Sequence, residues 1–313
     1  MTTITLARNA MATRFEIVLH GENAVALRAA GEEALTEIEK LEDRLSLFRP
    51  HSEIAHVNAR AAREPVRITP EAFGLLDRAR QLNLETGGAF DITIAPLMRA
   101  WGFQQGRGQP PSPEVVAAAR AVTGMRLVHL DPAEYSVRFE KPGVMIDLGA
   151  IGKGYAVEKS AEILREAGVD SALLHGGTST LYAIGHPPDK ESWDIAIETP
   201  PELRKTHVPL GRIPLRDYAL SVSAVWGKFF EWEGRMVGHV IDPRTGQPAG
   251  AAALAAVQCP SATDSDALST ALLVRGVEGL EPIGRLRPGL HDWVAEWNQG
   301  EVSLRSWPNA VEG

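Results

Sequence analysis

The chain has 313 residues, 44% hydrophobic and 23% charged, with a formal net charge of −8. That composition is ordinary for a globular protein and is long enough to bury a substantial core. The acidic balance argues against broad non-specific nucleic-acid binding, which needs a basic face, and no apolar run approaches the ~20 residues of a membrane span.

The opening stretch "MTTITLARNAMATRFEIVLHG" alternates as a strand does and lacks the charged, apolar and small-residue regions of a signal peptide. Cys259 is the only cysteine, so no intramolecular disulfide can form. It precedes a proline in an apolar run and reads as a buried structural thiol. Together these features set the cytoplasm as the expected location.

After the first strand, Leu27, Ala30, Ala34, Ile38, Leu41 and Leu45 recur at three- and four-residue steps, which predicts an amphipathic helix. Thr69-Pro70 opens a second helix with a cap and an N1 proline, and Gly87-Gly88 closes it. "GGAFDIT" then reads as a C-cap followed by a strand that Asp91 enters. The proline- and glycine-rich residues 104–113 form a surface loop, and Ser112-Pro113 opens a third helix. A fourth follows Gly152. Strands are expected at "SALLH", "TLYAIG", "WDIAIE", "YALSVSA", "RMVGHVID" and "AAALAAVQC". The helix "DSDALSTALLVRG" and a terminal hairpin, "DWVAEWNQGEVSLRSW", complete the chain. Helices come early and strands cluster late, which favours an α+β layered fold over a doubly wound one. Residues 1–313 read as a single domain.

The candidate chemistry is oxygen chemistry. The histidines and the lone cysteine show no zinc-type spacing, and no G-x-S-x-G elbow or kinase-type glycine-rich segment is present. In "DLGAIGKGYAVEKSAEIL", Gly149, Gly152, Lys153 and Gly154 surround a helix start. The segment is either a phosphate cradle or a turn that needs flexible residues, because it matches neither common nucleotide fingerprint. Asp266 and Thr270 stand four apart on one helix face and suit a hard cation such as magnesium, or else act as caps or surface residues. In "GHVIDPRTGQP", His239 ends a strand just before an Asp-Pro turn, as a base or as a structural polar residue.

Taken in order, "MATRFEIVLHG", "LSLFRPHSEIAHVNA", "TGGAFDITIAPLMRAWGF", "VMIDLGAIGKGYAVEKSAEIL", "LLHGGTSTLYAIG", "HVIDPRTGQP" and "DSDALSTALLVRG" resemble the ApbE-like FAD:protein FMN transferases from about Met11 to Gly276. The resemblance implies a single α+β domain related to the T-fold, with a mixed or antiparallel sheet and packed helices. It also implies a magnesium-dependent transfer of FMN from FAD to a threonine or serine hydroxyl of an acceptor protein, with release of AMP. By position, Asp266, Thr270 and the Ala150 carbonyl match the metal ligands. Ala89, Phe90 and Asp91 match a flavin-contacting A-F-D, and Met11 and Phe48 fall where the flavin site is lined. Asp147 and Lys153 match FAD contacts, Val240 or Ile241 lies beside the pocket, and His239 matches the proposed base.

The chain departs from the family where "VSAVWGKFF" places Ala224 and Trp226 at the positions of a glycine and a tyrosine, and where Thr178 follows Gly176-Gly177. Most members are exported or lipid-anchored, unlike the expectation here. Two alternatives stand beside transfer: an FAD pyrophosphatase, in which water replaces the acceptor, and a non-catalytic FAD-binding protein.

Overall fold

The protein is described from a computed structural model covering residues 1–104, 108–199, 209–298 and 301–308. It opens with β1 (Thr2–Ala10) and β2 (Thr13–Gly21), a hairpin in full antiparallel register from Thr2↔Gly21 to Ala10↔Thr13. The two-residue turn between them is Met11-Ala12, with φ of 49° and 56°. A tight hairpin of this length wants positive φ at both central residues, which side chains other than glycine, asparagine or aspartate resist.

The predicted helices form. α1 (Ala24–Leu45) buries the forecast stripe of Leu27, Ala30, Ala34, Ile38, Leu41 and Leu45, and its first turn is capped by the Asn23 side chain. α2 (Glu53–Arg60) follows, unforeseen because one turn and a half of apolar spacing gives no periodic signal. α3 (Pro70–Glu85) begins where Thr69 accepts the Ala72 N–H, and ends before Gly87 and Gly88 at positive φ. β3 (Val66–Arg67) pairs with β5 (Ser136–Phe139), which pairs in turn with β4 (Val128–Asp131) in a small three-stranded sheet.

The strand expected at "GGAFDIT" does not form. Asp91 Oδ1 accepts from Thr93 N at 2.8 Å and from Thr93 Oγ1 at 2.6 Å. This Asx-type bond turns the chain instead of extending it, and the short α4 (Ala95–Ala100) follows. α5 (Pro113–Arg120) starts at the expected proline, although the Ser112 side chain makes no capping bond. Residues 105–107 of the predicted loop lie outside the described residues.

α6 (Gly152–Glu166) leads into β6 (Ala172–Gly176) and β7 (Thr180–Ile184). β8 (Trp193–Ile197) pairs with β9 (Gly211–Leu215) as a separate ribbon. β10 (Ala219–Ala224) is followed by the hairpin of β11 (Phe229–Trp232) and β12 (Arg235–Gly238), then by β13 (Leu254–Cys259) and α7 (Ala262–Arg275). The predicted "RMVGHVID" strand stops at Gly238; beyond it only Ile241 makes an isolated bridge, to Pro248. The short α8 (Leu280–Gly284), β14 (His291–Asn298) and β15 (Glu301–Trp307) end the described chain, and the turn of that terminal hairpin lies outside it.

One eight-stranded sheet, ordered β1-β2-β6-β7-β10-β13-β14-β15, joins the first strand to the last. Its pairings are antiparallel. α1, α6 and α7 cover one face and form the main core with it, while the β8–β9 ribbon covers part of the other. The period-two alternation of strands sorts side chains between the two layers. On β13, Ala255 and Val257 enter the helix-side core, whereas Leu254 and Ala256 enter the ribbon-side core. On β10, Ser221 and Ser223 reach α7 while Leu220, Val222 and Ala224 join the ribbon side. α7 is buried almost all round, so its polar residues have to be satisfied by neighbours within the protein.

Candidate active site

The site assembles where the first turn of α6 meets the first two turns of α7. Gly154 makes this approach possible: a Cβ there would lie 2.2 Å from the Ala262 carbonyl oxygen and 2.7 Å from Asp266 Cβ. Across that contact the Gly154 N–H donates to Asp266 Oδ2 at 2.9 Å. Gly154 is the third residue of α6, and an N–H in the first turn of a helix has no partner within that helix. The Asp266 carboxylate satisfies it from outside the helix, and among the described residues no backbone N–H donates to the Ala150 carbonyl.

Asp266 is 4% exposed, and its other oxygen, Oδ1, lies 3.9 Å from Lys153 Nζ. The Lys153 ammonium also donates to the Gly149 carbonyl at 3.3 Å. Thr270 sits one turn further along α7, with Oγ1 3.3 Å from the Asp266 carbonyl. Asp264, two residues before Asp266, has a different fate. Arg78 holds it through two bonds of 2.8 and 2.9 Å, and Arg287 Nε lies 2.9 Å from Oδ2. Of the two neighbouring aspartates, one is held by arginines, and the other keeps Oδ1 free of hydrogen bonds among the described residues.

Of the sequence-predicted metal set, Asp266 and Thr270 share one face of α7, and the Gly154 N–H ties Asp266 to the start of α6, just after Ala150; a carboxylate, a hydroxyl and a carbonyl are oxygen donors of the kind a hard cation prefers. Among the described residues no group of three or more His, Cys, Asp and Glu side chains converges. With a single carboxylate, a magnesium ion here would complete its shell with water and substrate phosphate, which is its usual habit. The residues present fit the ion.

Asp147 enters the same region. Its N–H donates to the Ile92 carbonyl at 2.7 Å, and its carboxylate accepts from Gly149 N at 2.8 Å and Gln104 Nε2 at 3.4 Å. Burial pushes its carboxyl above the ordinary range, opposed by those donors and by the charges of Lys228 and Lys153.

His239 follows β12 and is fixed by a single carbonyl. Its N–H donates to the Lys228 carbonyl at 2.9 Å, and its Nδ1 lies 3.0 Å from the same oxygen. A carbonyl only accepts, so Nδ1 carries the proton of the neutral ring and Nε2 keeps its lone pair. Burial depresses the imidazole below its ordinary value; the Lys228 carbonyl opposes this, while the Lys228 and Lys153 charges add to it. The edge-to-face Phe103 ring, 6.4 Å away between centroids, flanks it. The following Asp242-Pro243 turn is held by Asp242 accepting from Arg244 N, Nε and Nη2, each at 2.9 Å. Val240 packs towards the main core and Ile241 into a small cluster with Leu97, Trp101 and Val116.

Other predicted residues sit further back. Ala89 and Phe90 are sealed in the main core at 0% and 1% exposure. Asp91 accepts four hydrogen bonds: the two from Thr93, one from Asn83 Nδ2 at 3.1 Å and one from Met125 N at 3.0 Å. Burial still raises its pKa. This knot ties the end of α3 to the irregular segment that carries Asp147, through the Ile92 carbonyl. Met11, at the strained β1–β2 turn, packs against the main core, and Phe48 is exposed in the loop after α1. Neither makes a hydrogen bond or ring contact with the cluster around Asp266 among the described residues. An open cleft of about 550 Å³ adjoins their region, lined by Ala10, Ala12, Thr13, Glu42 and Arg49. A second cleft of about 550 Å³ lies around Arg165, Arg216 and Asp217. That is the last turn of α6, roughly 18 Å along the helix from Lys153 at 1.5 Å per residue.

Three contributors escape sequence reasoning: Lys228, the Gly154 N–H and Ser223. The glycine alone left a trace, in the G-K-G run. Among the departures, Ala224 and Trp226 pack on the ribbon side of the sheet, away from α7.

An antiparallel sheet backed by helices, with oxygen donors and Lys153 where two helix starts meet, defines an α+β protein with a candidate site for a hard cation. Comparison with known proteins makes the class specific. The model of the ApbE family matches residues 11–291. The FAD:protein FMN transferase of Treponema pallidum (strain Nichols) is 31% identical over 281 residues, 85% of this chain and 77% of that protein. That of Escherichia coli (strain K12) is 27% identical over 302 residues, covering 95% and 84%. Among solved structures, the flavin transferase ApbE from Vibrio cholerae superposes with a TM-score of 0.84 at 25% identity, covering 97% of both chains. The Pseudomonas stutzeri flavinyl transferase ApbE, in its apo form, gives a TM-score of 0.84 at 30% identity, covering 97% of this chain and 94% of its own. The chain belongs to the ApbE family and is a transferase.

Proposed function

We propose that this chain, acting as one domain, transfers FMN from FAD to a threonine or serine hydroxyl of an acceptor protein and releases AMP. The observation that supports the reading is the bond from the Gly154 N–H to Asp266, which ties the start of α6, just after Ala150, to the α7 face that carries the Asp266 carboxylate and the Thr270 hydroxyl. That carboxylate, that hydroxyl and the Ala150 carbonyl would hold magnesium, which supplies charge neutralisation on the phosphate oxygens when bound.

The chain's own residues do the rest. Lys153 and Lys228 offset the charge of the pyrophosphate, and the start of α6 directs its positive end at the same place. His239 Nε2 takes the proton of the acceptor hydroxyl as its oxygen bonds to the FMN phosphorus. The bond from that phosphorus to the bridging oxygen breaks, and AMP leaves with the electron pair. Asp91 holds the wall behind the site, while Ala89, Phe90, Val240 and Ile241 give that wall its shape. Met11 and Phe48 offer apolar surface for the flavin ring at the neighbouring cleft, and Asp147 contacts the dinucleotide.

The test is incubation with FAD and magnesium, with and without a protein bearing candidate hydroxyls. Flavin bound covalently to the acceptor supports transfer. Free FMN and AMP alone would mean hydrolysis, and unchanged FAD would mean binding without catalysis.

A further inference from the structure

Ser223, on the helix-facing side of β10, places its Oγ 2.9 Å from Ser269 Oγ and 3.3 Å from Thr270 Oγ1. Ser269 in turn donates to the Asp266 carbonyl at 2.9 Å, the carbonyl that Thr270 Oγ1 approaches only to 3.3 Å. Each hydroxyl has one proton to give and two lone pairs. For Thr270 to offer a lone pair to a cation, its proton has to point away from the cation. Thr270 Oγ1 has two acceptors at 3.3 Å, the Asp266 carbonyl, which also takes Ser269 Oγ at 2.9 Å, and Ser223 Oγ; a proton given to Ser223 leaves that carbonyl to Ser269.

We propose that Ser223 is a positioning residue for the cation site. Thr270 donates to Ser223, Ser223 to Ser269, and Ser269 to the Asp266 carbonyl, so that every hydroxyl donates once. The relay fixes the Thr270 side chain with a lone pair turned towards the ion. The inference rests on the reading of Asp266, Thr270 and Ala150 as cation ligands. Ser221, two residues earlier on the same face, makes a similar bond to Ser265 at 2.7 Å. Ser265 donates to the Ala262 carbonyl and has no part in the donor set. Ser221 is thus an internal control for a purely structural serine between this strand and α7.

The experiment measures Mn²⁺ binding to the full chain by loss of the free-ion electron paramagnetic resonance signal, with ADP as a diphosphate probe. Partners that orient metal ligands are typically worth ~10–100-fold in metal affinity. Ser223→Ala should therefore weaken Mn²⁺ binding about tenfold, Ser223→Thr should restore it, and Ser221→Ala should leave it at the parent value. Ser223→Ala should add nothing in a Thr270→Ala background, because the relay acts through Thr270. Parent affinity in a folded Ser223→Ala variant, or losses that simply add, would overturn the inference while leaving the cation site standing. Parent affinity in both Asp266→Ala and Thr270→Ala would instead remove the cation reading, and this inference with it.

Discussion

Asp292 offers a stability prediction that can be worked from the fold alone. It lies in β14 between Val257 and Trp307, is 0% exposed, and among the described residues neither carboxylate oxygen has a hydrogen-bond partner. Burial lifts its pKa from 3.8 to about 8; the backbone of Trp307 opposes the shift without reaching hydrogen-bonding geometry. Well below pH 3.8 the group is protonated in both the folded and the unfolded chain and costs nothing by ionisation. As the pH rises towards 8, the unfolded chain releases this proton and the folded chain keeps it, so stability falls. At about 1.36 kcal/mol per pKa unit, the loss between pH 5 and pH 7.5 is about 3 kcal/mol. Asp292→Asn removes the ionisation and keeps the shape, at about 1–3 kcal/mol for the buried amide at every pH. Urea unfolding of both proteins at the two pH values measures the difference. The variant should gain on the parent by about 3 kcal/mol between them. An unchanged gap would refute the reasoning.

Other outcomes follow from the same geometry. Gly154→Ala would force α6 from α7 at the Ala262 carbonyl, and it should weaken Mn²⁺ binding as severely as Asp266→Ala, measured as above. Ala12→Gly relieves an L-residue held at φ 56° and should raise unfolding free energy by about 1 kcal/mol in denaturant titration. His239→Ala should slow flavin transfer by roughly a hundred- to ten-thousand-fold while FAD affinity, followed by fluorescence, holds. In the parent, activity should rise with pH through a group titrating below the ordinary 6.5 of histidine, because burial favours the neutral ring, and the variant should lose that limb.

Much of the layered fold was legible because its helices carry apolar stripes with caps, and its strands alternate. α1 announced itself by six apolar positions, and α3 by Thr69-Pro70 at one end and two glycines at the other. The turn at Asp91 was not legible, because an Asx bond to Thr93 and a strand entry look alike in sequence. α2 and the β3-β5-β4 sheet are too short to set a period. At the site, the four-residue spacing of Asp266 and Thr270 put both on one face, and the family resemblance singled them out. What spacing cannot express is competition for hydrogen bonds. Asp264 and Asp266 look alike in sequence, but Arg78 and Arg287 reach the first and the Gly154 N–H reaches the second, all from elements far along the chain. Lys228 and Ser223 lie in the "VSAVWGKFF" stretch where the chain departs from the family, and their placement beside His239 and α7 is long-range.

The central claim is that FAD is cleaved by a protein hydroxyl with AMP as the leaving group. Its most direct test is in-gel flavin fluorescence of a candidate acceptor after incubation with this protein, magnesium and either FAD or FMN, then denaturation. The account predicts a denaturation-resistant fluorescent acceptor with FAD, AMP released one for one, and no label with FMN, which has no AMP to lose. Equal labelling by FMN, or AMP accumulating with free FMN and an unlabelled acceptor, would contradict it.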